Sequence, residues 1–412
     1  MSGDWQATTI GDQIKLQRGH DITKKEQRMG NVPVISSGGI QSYHDTAKAK
    51  GPGVILGRKG SIGTVYYIDR DYWPHDTTLY VVDFQDNVPQ FVYYFFRWNS
   101  ERLHSLDGAT ANPALNRNHV HPIKTRWPPP AEQKAIASVL GALDDKIELN
   151  HQMNQTLESM ARALYKSWFV DFDPVAANAA GKRPFGMDDV TASLFPDRFV
   201  DSELGPIPEG WESGTISEIC RILRNSVDPT KEPDRQFAHF SIPALDAERA
   251  PVFELGHNIK SSKYHISRNS VLISKLNPET PRVSMPDVVK GVYPICSTEF
   301  LVCEPLTPWT RSALYCLFAS TSFQVQFASL VGGTSKSHQR VKPPDFQAMK
   351  ILMPSKELIQ KFDEQTRYFF DLQMTNSRET ETLARLRDLL LPKLMSGEIR
   401  ISDAEKAVEE AV

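Results

Sequence analysis

The stretch PPPAEQKAIASVLGALDDKIELNHQMNQTLESMARALYKSWF, residues 128–169, decides the fold. Ile136, Leu140, Leu143, Ile147, Asn150, Asn154, Leu157, Ala161, Leu164 and Trp168 recur along it at spacings of four and three. That is a heptad seam, the pattern of a helix wound against another helix. Pro128, Pro129 and Pro130 mark its start, because proline is tolerated before and inside a first helical turn. Two successive seam positions, Asn150 and Asn154, are polar, and a buried amide needs a partner.

The partner lies further along the chain. Residues 355–395, SKELIQKFDEQTRYFFDLQMTNSRETETLARLRDLLLPKLM, fall into register with the first helix at a shift of 226. Pro128 then meets Pro354, Asn150 meets Asn376, Leu157 meets Leu383 and Leu164 meets Leu390. In this second copy Phe362, Phe369, Asn376, Leu383 and Leu390 are seven apart. The repeat extends upstream. SLDGAT (105–110) resembles SLVGGT (329–334), and WQATTIGDQIKLQRG from Trp5 echoes WESGTISEICRIL from Trp211. A period of 206–226 residues is a duplication of a whole globular unit, far longer than a solenoid repeat.

Two like halves are expected to sit about a pseudo-twofold axis, with their long helices antiparallel. Asn150 and Asn154 then lie near the midpoint, opposite Asn376 and Thr380, and buried asparagines there fix the register. Helices of some thirty residues form a rod on the order of 50 Å, which holds two heads at a set separation. The expected fold is α+β: two globular domains, each followed by a long helix, the helices forming an antiparallel coiled coil. The expected divisions are a first domain over 1–130, its helix over 131–170, an acidic linker over 171–210, a second domain over 211–354, its helix over 355–395, and an acidic tail over 396–412.

Within the heads, GPGVILGRKGSIGTVYYID (51–69) and NSVLISKLNPETPRVSMPD (269–287) read as β-rich runs around a polar, basic tip. TTLYVVDF (77–84) and STEFLVCEP (297–305) are further strands; FVYYFFRWNSERLHSL (91–106) is a helix with an aromatic face. The tips carry Arg58, Lys59 and Ser61 in the first half and Lys275 and Asn277 in the second. A second polar set precedes each helix: Asn116 and Arg117, then Thr334, Lys336, Ser337, His338 and Arg340. Arg, Lys, Ser and Asn on exposed loops are the residue types that clamp phosphates and read base edges. Most basic turns are only solvated turns, so the pattern gains its meaning from occurring twice.

Composition is that of a folded, water-exposed chain, with 40% hydrophobic and 24% charged residues. No apolar run reaches membrane-spanning length, and the N-terminus lacks the basic-then-apolar pattern of a signal peptide, so a cytoplasmic protein is expected. The four cysteines lack metal-ligand spacing and read as buried thiols. The formal net charge is −3. Residues 171–210 hold three basic and eight acidic side chains and residues 396–412 two and five, which leaves the remainder at +5. No P-loop, no dinucleotide fingerprint, no Asn-Pro-Pro-Tyr-type tetrapeptide and no zinc spacing occurs. Asp144-Asp145-Lys146 has the outline of a nuclease D-x-K, but beside the heptad seam it reads as a solvated helix face. His119 and His121 are too isolated to form a site. Catalysis by this chain alone is not expected.

Ala131-Glu132-Gln133-Lys134-Ala135-Ile136, Leu143-Asp144-Asp145-Lys146-Ile147 and Trp168-Phe169-Val170-Asp171-Phe172 together resemble the central conserved region of the specificity subunit of type I restriction–modification enzymes. Residues 209–211 and 269–287 resemble parts of a second target-recognition domain. The resemblance implies double-stranded DNA as ligand, with each recognition domain reading one half of a bipartite, interrupted site and the helix pair setting the spacer. It implies two methyltransferase subunits that carry S-adenosylmethionine and methylate adenine N6. It also implies an ATP- and magnesium-dependent restriction subunit, in up to two copies, where one exists; this chain itself binds no cofactor. A specificity subunit of a type IIB-like system is the near alternative, and a protein-binding scaffold the distant one.

Overall fold

The computed structural model describes residues 5–106, 114–203, 205–247, 251–288, 291–331 and 339–410. The chain forms two compact units. One comprises residues 1–151 and 377–412, the other residues 152–376.

The first unit builds a four-stranded antiparallel sheet in the order Lys15–Arg18, Thr78–Asp83, Gly53–Gly57, Val65–Ile68. A smaller sheet sets Val32–Ser36 between Gly39–His44 and the short Trp73–Pro74, the latter pair parallel. Gln6–Thr9 pairs with Lys124–Trp127, which delivers the chain into the first long helix, Pro130–Phe169. The aromatic helix expected over 91–106 is Pro89–Trp98, which buries Phe91, Val92, Tyr94, Phe95 and Phe96; it stops at Asn99, and Ser100–His104 forms a separate short helix. Apolar residues recurring at one-turn spacing on this segment face the sheet and the long helix, as an amphipathic helix requires.

The second unit repeats the plan. Its four-stranded sheet runs Cys220–Leu223, Phe300–Pro305, Val271–Ser274, Val283–Ser284. A five-stranded sheet takes the place of the smaller one. Glu212–Thr215 pairs with Lys350–Met353 ahead of the second long helix, Lys356–Ser396. Register makes the duplication concrete: Thr9 faces Lys124 and Thr215 faces Lys350. Both threonines open a one-turn helix whose third residue reaches back. The Thr9 N–H donates to Asp12 Oδ2 at 3.3 Å and the Thr215 N–H to Glu218 Oε1 at 2.9 Å, a reciprocal cap.

The long helices pair antiparallel inside each unit. In the first, Asp144 meets Arg387 and Asn150 meets Glu379, so residue numbers rise along one helix as they fall along the other. In the second, Asn154 meets Asn376 and Tyr165 packs edge-on against Phe362 at 5.6 Å. Ile136, Leu140 and Leu143 share one core with Leu383, Leu390 and Leu394. Ala161, Tyr165 and Trp168 share another with Leu358, Ile359, Phe362 and Phe370. Fully burying each such leucine contributes about 1.5–3 kcal/mol, so the pair is held mainly by this seam.

The acidic stretch 171–210 carries structure of its own. Asp173–Ala179 and Asp189–Ala192 are helical, Phe199–Ser202 and Gly205–Pro208 form a hairpin, and Val175, Met187 and Phe195 enter the second unit's core. Its charges stay outside while its apolar residues pack. The tail behaves likewise. Gly397, at φ +72°, closes the second long helix in a left-handed conformation, with the Glu398 N–H donating to the Lys393 carbonyl at 2.9 Å. The chain turns there into Ile401–Glu409, which sets Ala404 into the first unit's core. Cys220, Cys296, Cys303 and Cys316 are free and buried; burial pushes the Cys296 thiol up to about 12. Among the described residues, no helix is long and apolar enough to cross a membrane.

Candidate nucleic-acid interface

The two basic tips sit at the ends of equivalent hairpins and share one backbone frame. The Arg58 N–H donates to the Thr77 carbonyl at 2.8 Å, and the Arg58 carbonyl accepts from the Leu115 N–H at 2.9 Å. In the second unit the Lys275 N–H donates to the Glu299 carbonyl and the Lys275 carbonyl accepts from the Val341 N–H, each at 3.0 Å. Two residues on, Gly60 (φ +78°) and Asn277 (φ +49°) both take the left-handed conformation that glycine and asparagine tolerate best. In each unit the segment entering the strand before the long helix therefore docks on the hairpin tip.

This docking gathers residues that are far apart in sequence. In the first unit a cleft of about 830 Å³ is lined by Arg18, His20, Lys48, Arg58, Asn116 and Arg117, with Asp21 and Asp76 as its carboxylates. Of the residues singled out above, Arg58, Asn116 and Arg117 come together here. Lys59 and Ser61 are exposed on the same tip. Asn116 caps the short helix Arg117–Val120, its Oδ1 accepting from the Asn118 N–H at 2.9 Å. In the second unit Asn277 is exposed, and its N–H donates to the Gln339 carbonyl. Arg340 forks onto Glu299, with Nε 2.9 Å from Oε2 and Nη2 2.9 Å from Oε1. That pair holds Arg340 beside Lys275 and Asn277. Thr334, Lys336, Ser337 and His338 lie outside the described residues.

The cleft's electrostatics are uneven. Arg18 bonds Asp76 Oδ2 at 2.7 Å. Lys48 Nζ lies 5.2 Å from the centre of the Trp73 ring, a cation–π contact. Burial, then the Lys48 charge, lowers the His20 pKa and favours the neutral ring. Arg58 is half-buried and, among the described residues, makes no ion pair. Burial, then the Arg18 charge, lowers its pKa, only partly offset by Asp76. Such a site is suited to electron-rich groups. Arg18, His20 and Lys48 escaped sequence reasoning because they come from separate strands and loops. The one local signal was KLQRGH, where Gly19 lies so close to the His75 backbone that a Cβ would come within 2.0 Å of its carbonyl.

On the helix pair, Ile136, Leu140, Leu143, Leu157, Phe362, Leu383 and Leu390 are buried, with Ile147, Leu164 and Phe369 partly so. Asn150 and Asn376 are also buried. The Asn376 amide donates to Asn154 Oδ1 at 3.0 Å, while Asn150 Nδ2 donates to Glu379 Oε2 at 2.8 Å. One asparagine thus bonds an asparagine and the other a carboxylate. Asp144 corrects the reading of a solvated helix face. Its Oδ2 accepts from the Tyr94 hydroxyl at 2.7 Å and its Oδ1 from Arg387 Nη1 at 2.7 Å, and Lys146 pairs with Glu379 at 3.2 Å. A carboxylate beside the seam can reach the facing helix, which amphipathic spacing alone does not reveal. His121 also ties the fold together, its Nε2 accepting from the Leu16 N–H at 3.0 Å.

A duplicated α+β unit, with a basic, half-buried hairpin tip and a long helix in each copy, defines a protein of two repeated domains. Comparison with known proteins makes this specific. Residues 2–159 match the family of the Type I restriction modification DNA specificity domain. The type I restriction enzyme HindI specificity subunit of Haemophilus influenzae is 27% identical over 396 residues, covering 80% of this chain and 82% of its own. The MjaIX specificity subunit of Methanocaldococcus jannaschii is 25% identical over 328 residues, covering 77% and 70%. The fold is similar to the crystal structure of the type I restriction–modification system S subunit from M. genitalium, with TM-score 0.60 and 15% identity over 95% of this chain and 96% of that one. Residues 2–159 carry the specificity-domain pattern of type I restriction–modification systems, and most of the chain is similar to their specificity subunits.

Proposed function

We propose that each unit reads one half of a bipartite, interrupted site on double-stranded DNA, and that the helix pair sets the number of unread base pairs between the halves. The observation that carries this reading is the duplicated tip: the same backbone frame presents Arg58 in one unit and Lys275 in the other. Two copies of one scaffold with different side chains suit two half-sites of different sequence. The seam of the helix pair leaves its outer faces to dock two methyltransferase subunits, which bring S-adenosylmethionine and methylate adenine N6. A restriction subunit with ATP and magnesium completes a cleaving complex where the host encodes one. In this reading the chain supplies address and spacing, and its partners supply the chemistry.

The test is methylation mapping in cells that carry the chain and its methyltransferase. Inserting one heptad at matched positions of both long helices adds roughly 10 Å, about the rise of three base pairs. The expected result is a longer spacer with both half-sites unchanged. A methylome that does not depend on this chain, or a spacer indifferent to helix length, refutes the reading.

A further inference from the structure

Arg58 stands apart from the other cations of its cleft. Arg18 is tied to Asp76, and Lys48 lies against Trp73. Lys59 and Arg117 are exposed. Arg58 alone combines partial burial, a backbone fixed on both sides, and no ion-pair partner among the described residues. Its Nη1 donates weakly, at 3.4 Å, to the Asp76 carbonyl, which aims the guanidinium and leaves the rest of its fork unengaged. The tip is narrow around it: a Cβ on Gly57 would come within 2.0 Å of the Ser61 carbonyl.

These features separate two uses of a cation on DNA. Phosphate contacts are served by exposed, rotatable groups, and Lys59 and Arg117 are of that kind. A base edge demands a planar fork held in one place. Guanine is the base that presents two acceptors, N7 and O6, to such a fork in the major groove. We propose that Arg58 reads a guanine in the half-site of the first unit, and that position 58, with its counterpart Lys275, is where the two half-sites diverge. This rests on the DNA-reading function proposed above.

The experiment uses the full chain co-purified with its methyltransferase partner, a randomised duplex pool, and sequencing of the retained DNA at two salt concentrations. The unaltered complex should enrich a guanine at one position of one half-site. Arg58→Gln should move the preference there toward adenine, which pairs with an amide, and lower discrimination for guanine by roughly 5- to 150-fold. Arg58→Lys, a cation that can still donate to guanine N7 and O6 but without the planar fork, should keep the guanine at reduced discrimination, which guards against an effect of misfolding. Lys59→Ala should leave the sequence unchanged and reduce the salt slope by about one. The other half-site should stay constant throughout. An Arg58→Gln complex that retains the same guanine, or that weakens binding to all sequences alike, overturns the assignment while leaving DNA reading intact. No sequence enrichment by the unaltered complex overturns both.

Discussion

Asp144→Ala should loosen the first unit's half of the helix pair while leaving the second unit's half in place. Asp144 and Arg387 keep only 26% and 14% of their side chains exposed, so their pair is neither a surface bridge nor a fully dry one. Removing the carboxylate strips Arg387 of its contact across the helices, though Asp388 still lies 2.8 Å from its other nitrogen. Arg387 is pulled down by burial, but its bonds and proximity to Asp144 and Asp388 outweigh that and raise its pKa. The Tyr94 hydroxyl, on a side chain in the core, loses its acceptor. An orphaned buried hydroxyl costs about 1–3 kcal/mol. Breaking a buried ion pair by removing one partner costs about 3–5 kcal/mol, and an exposed one about 0–1. With Asp388 remaining, the pair belongs between those limits, and the whole substitution should cost about 2–4 kcal/mol.

Hydrogen exchange resolved by peptide is the suitable assay, because two units need not unfold as one. Amides of the buried seam around Leu383–Leu394 should exchange roughly 30- to 700-fold faster, the equivalent of that free energy. Those around Leu358–Phe370 should not change. Asp144→Asn separates the causes, since its amide oxygen can still accept from Tyr94 but carries no charge. Tyr94→Phe removes the hydroxyl alone and should cost about 1 kcal/mol. Exchange altered less than about threefold by Asp144→Ala, or altered equally in both units, would show that the hydrophobic seam holds the pair unaided and would refute the reasoning.

Stability should fall as pH drops below about 6.5. Burial is the first cause lowering the pKa values of His20, His121, His239 and His265 from 6.5. A histidine held low in the folded chain is protonated more readily when unfolded, so stability is full above 6.5 and is lost as pH falls from there toward the folded values. The melting temperature should therefore decline between pH 7.5 and 5.5, with a shallower decline for His121→Gln; a flat or rising profile contradicts it. Asn376→Leu alone should lower the urea midpoint, because the half-buried Asn154 Oδ1 loses the Asn376 amide as a donor at 3.0 Å, at a cost of about 1–2 kcal/mol. Adding Asn154→Leu should restore or raise the midpoint while relaxing the register, and a double variant no more stable than the single one would count against a polar lock.

The helix pair was legible because its information is local and periodic. Ile136 to Trp168 carry the seam in their spacing, and the second copy at a shift of 226 supplies the partner helix. The antiparallel sense followed from duplication, and Asn154 bonding Asn376 agrees with it. The tips were legible as strand–turn–strand patterns, but not their company. Arg18, Lys48 and Arg58 lie on three different segments: the pairing of Lys15–Arg18 with Thr78–Asp83, and of that strand with Gly53–Gly57, brings Arg18 to Arg58, while the Lys48 N–H donates to the Tyr72 carbonyl at 3.0 Å beside the cleft. Asp144 was misread for a related reason, since its partners Tyr94 and Arg387 are 50 and 243 residues away.

That contrast between local and distant information matches how the two parts of the chain work. A seam that sets register is read by a copy of itself, so its pattern must be periodic and repeated. Under the proposed function a tip is answered by DNA outside the chain, so only its frame need be repeated. The frame is indeed the same at Arg58 and Lys275, down to the donor on one side and the acceptor on the other. The neighbours differ: Glu299 and Arg340 form an ion pair beside Lys275, whereas the equivalent positions in the first unit are Thr77 and Ala114. Arg58, whose nearby carboxylate Asp76 is bonded to Arg18, makes no ion pair of its own among the described residues. A scaffold that holds its backbone constant while exchanging the charges around one side chain can change what its tip presents without changing how it folds.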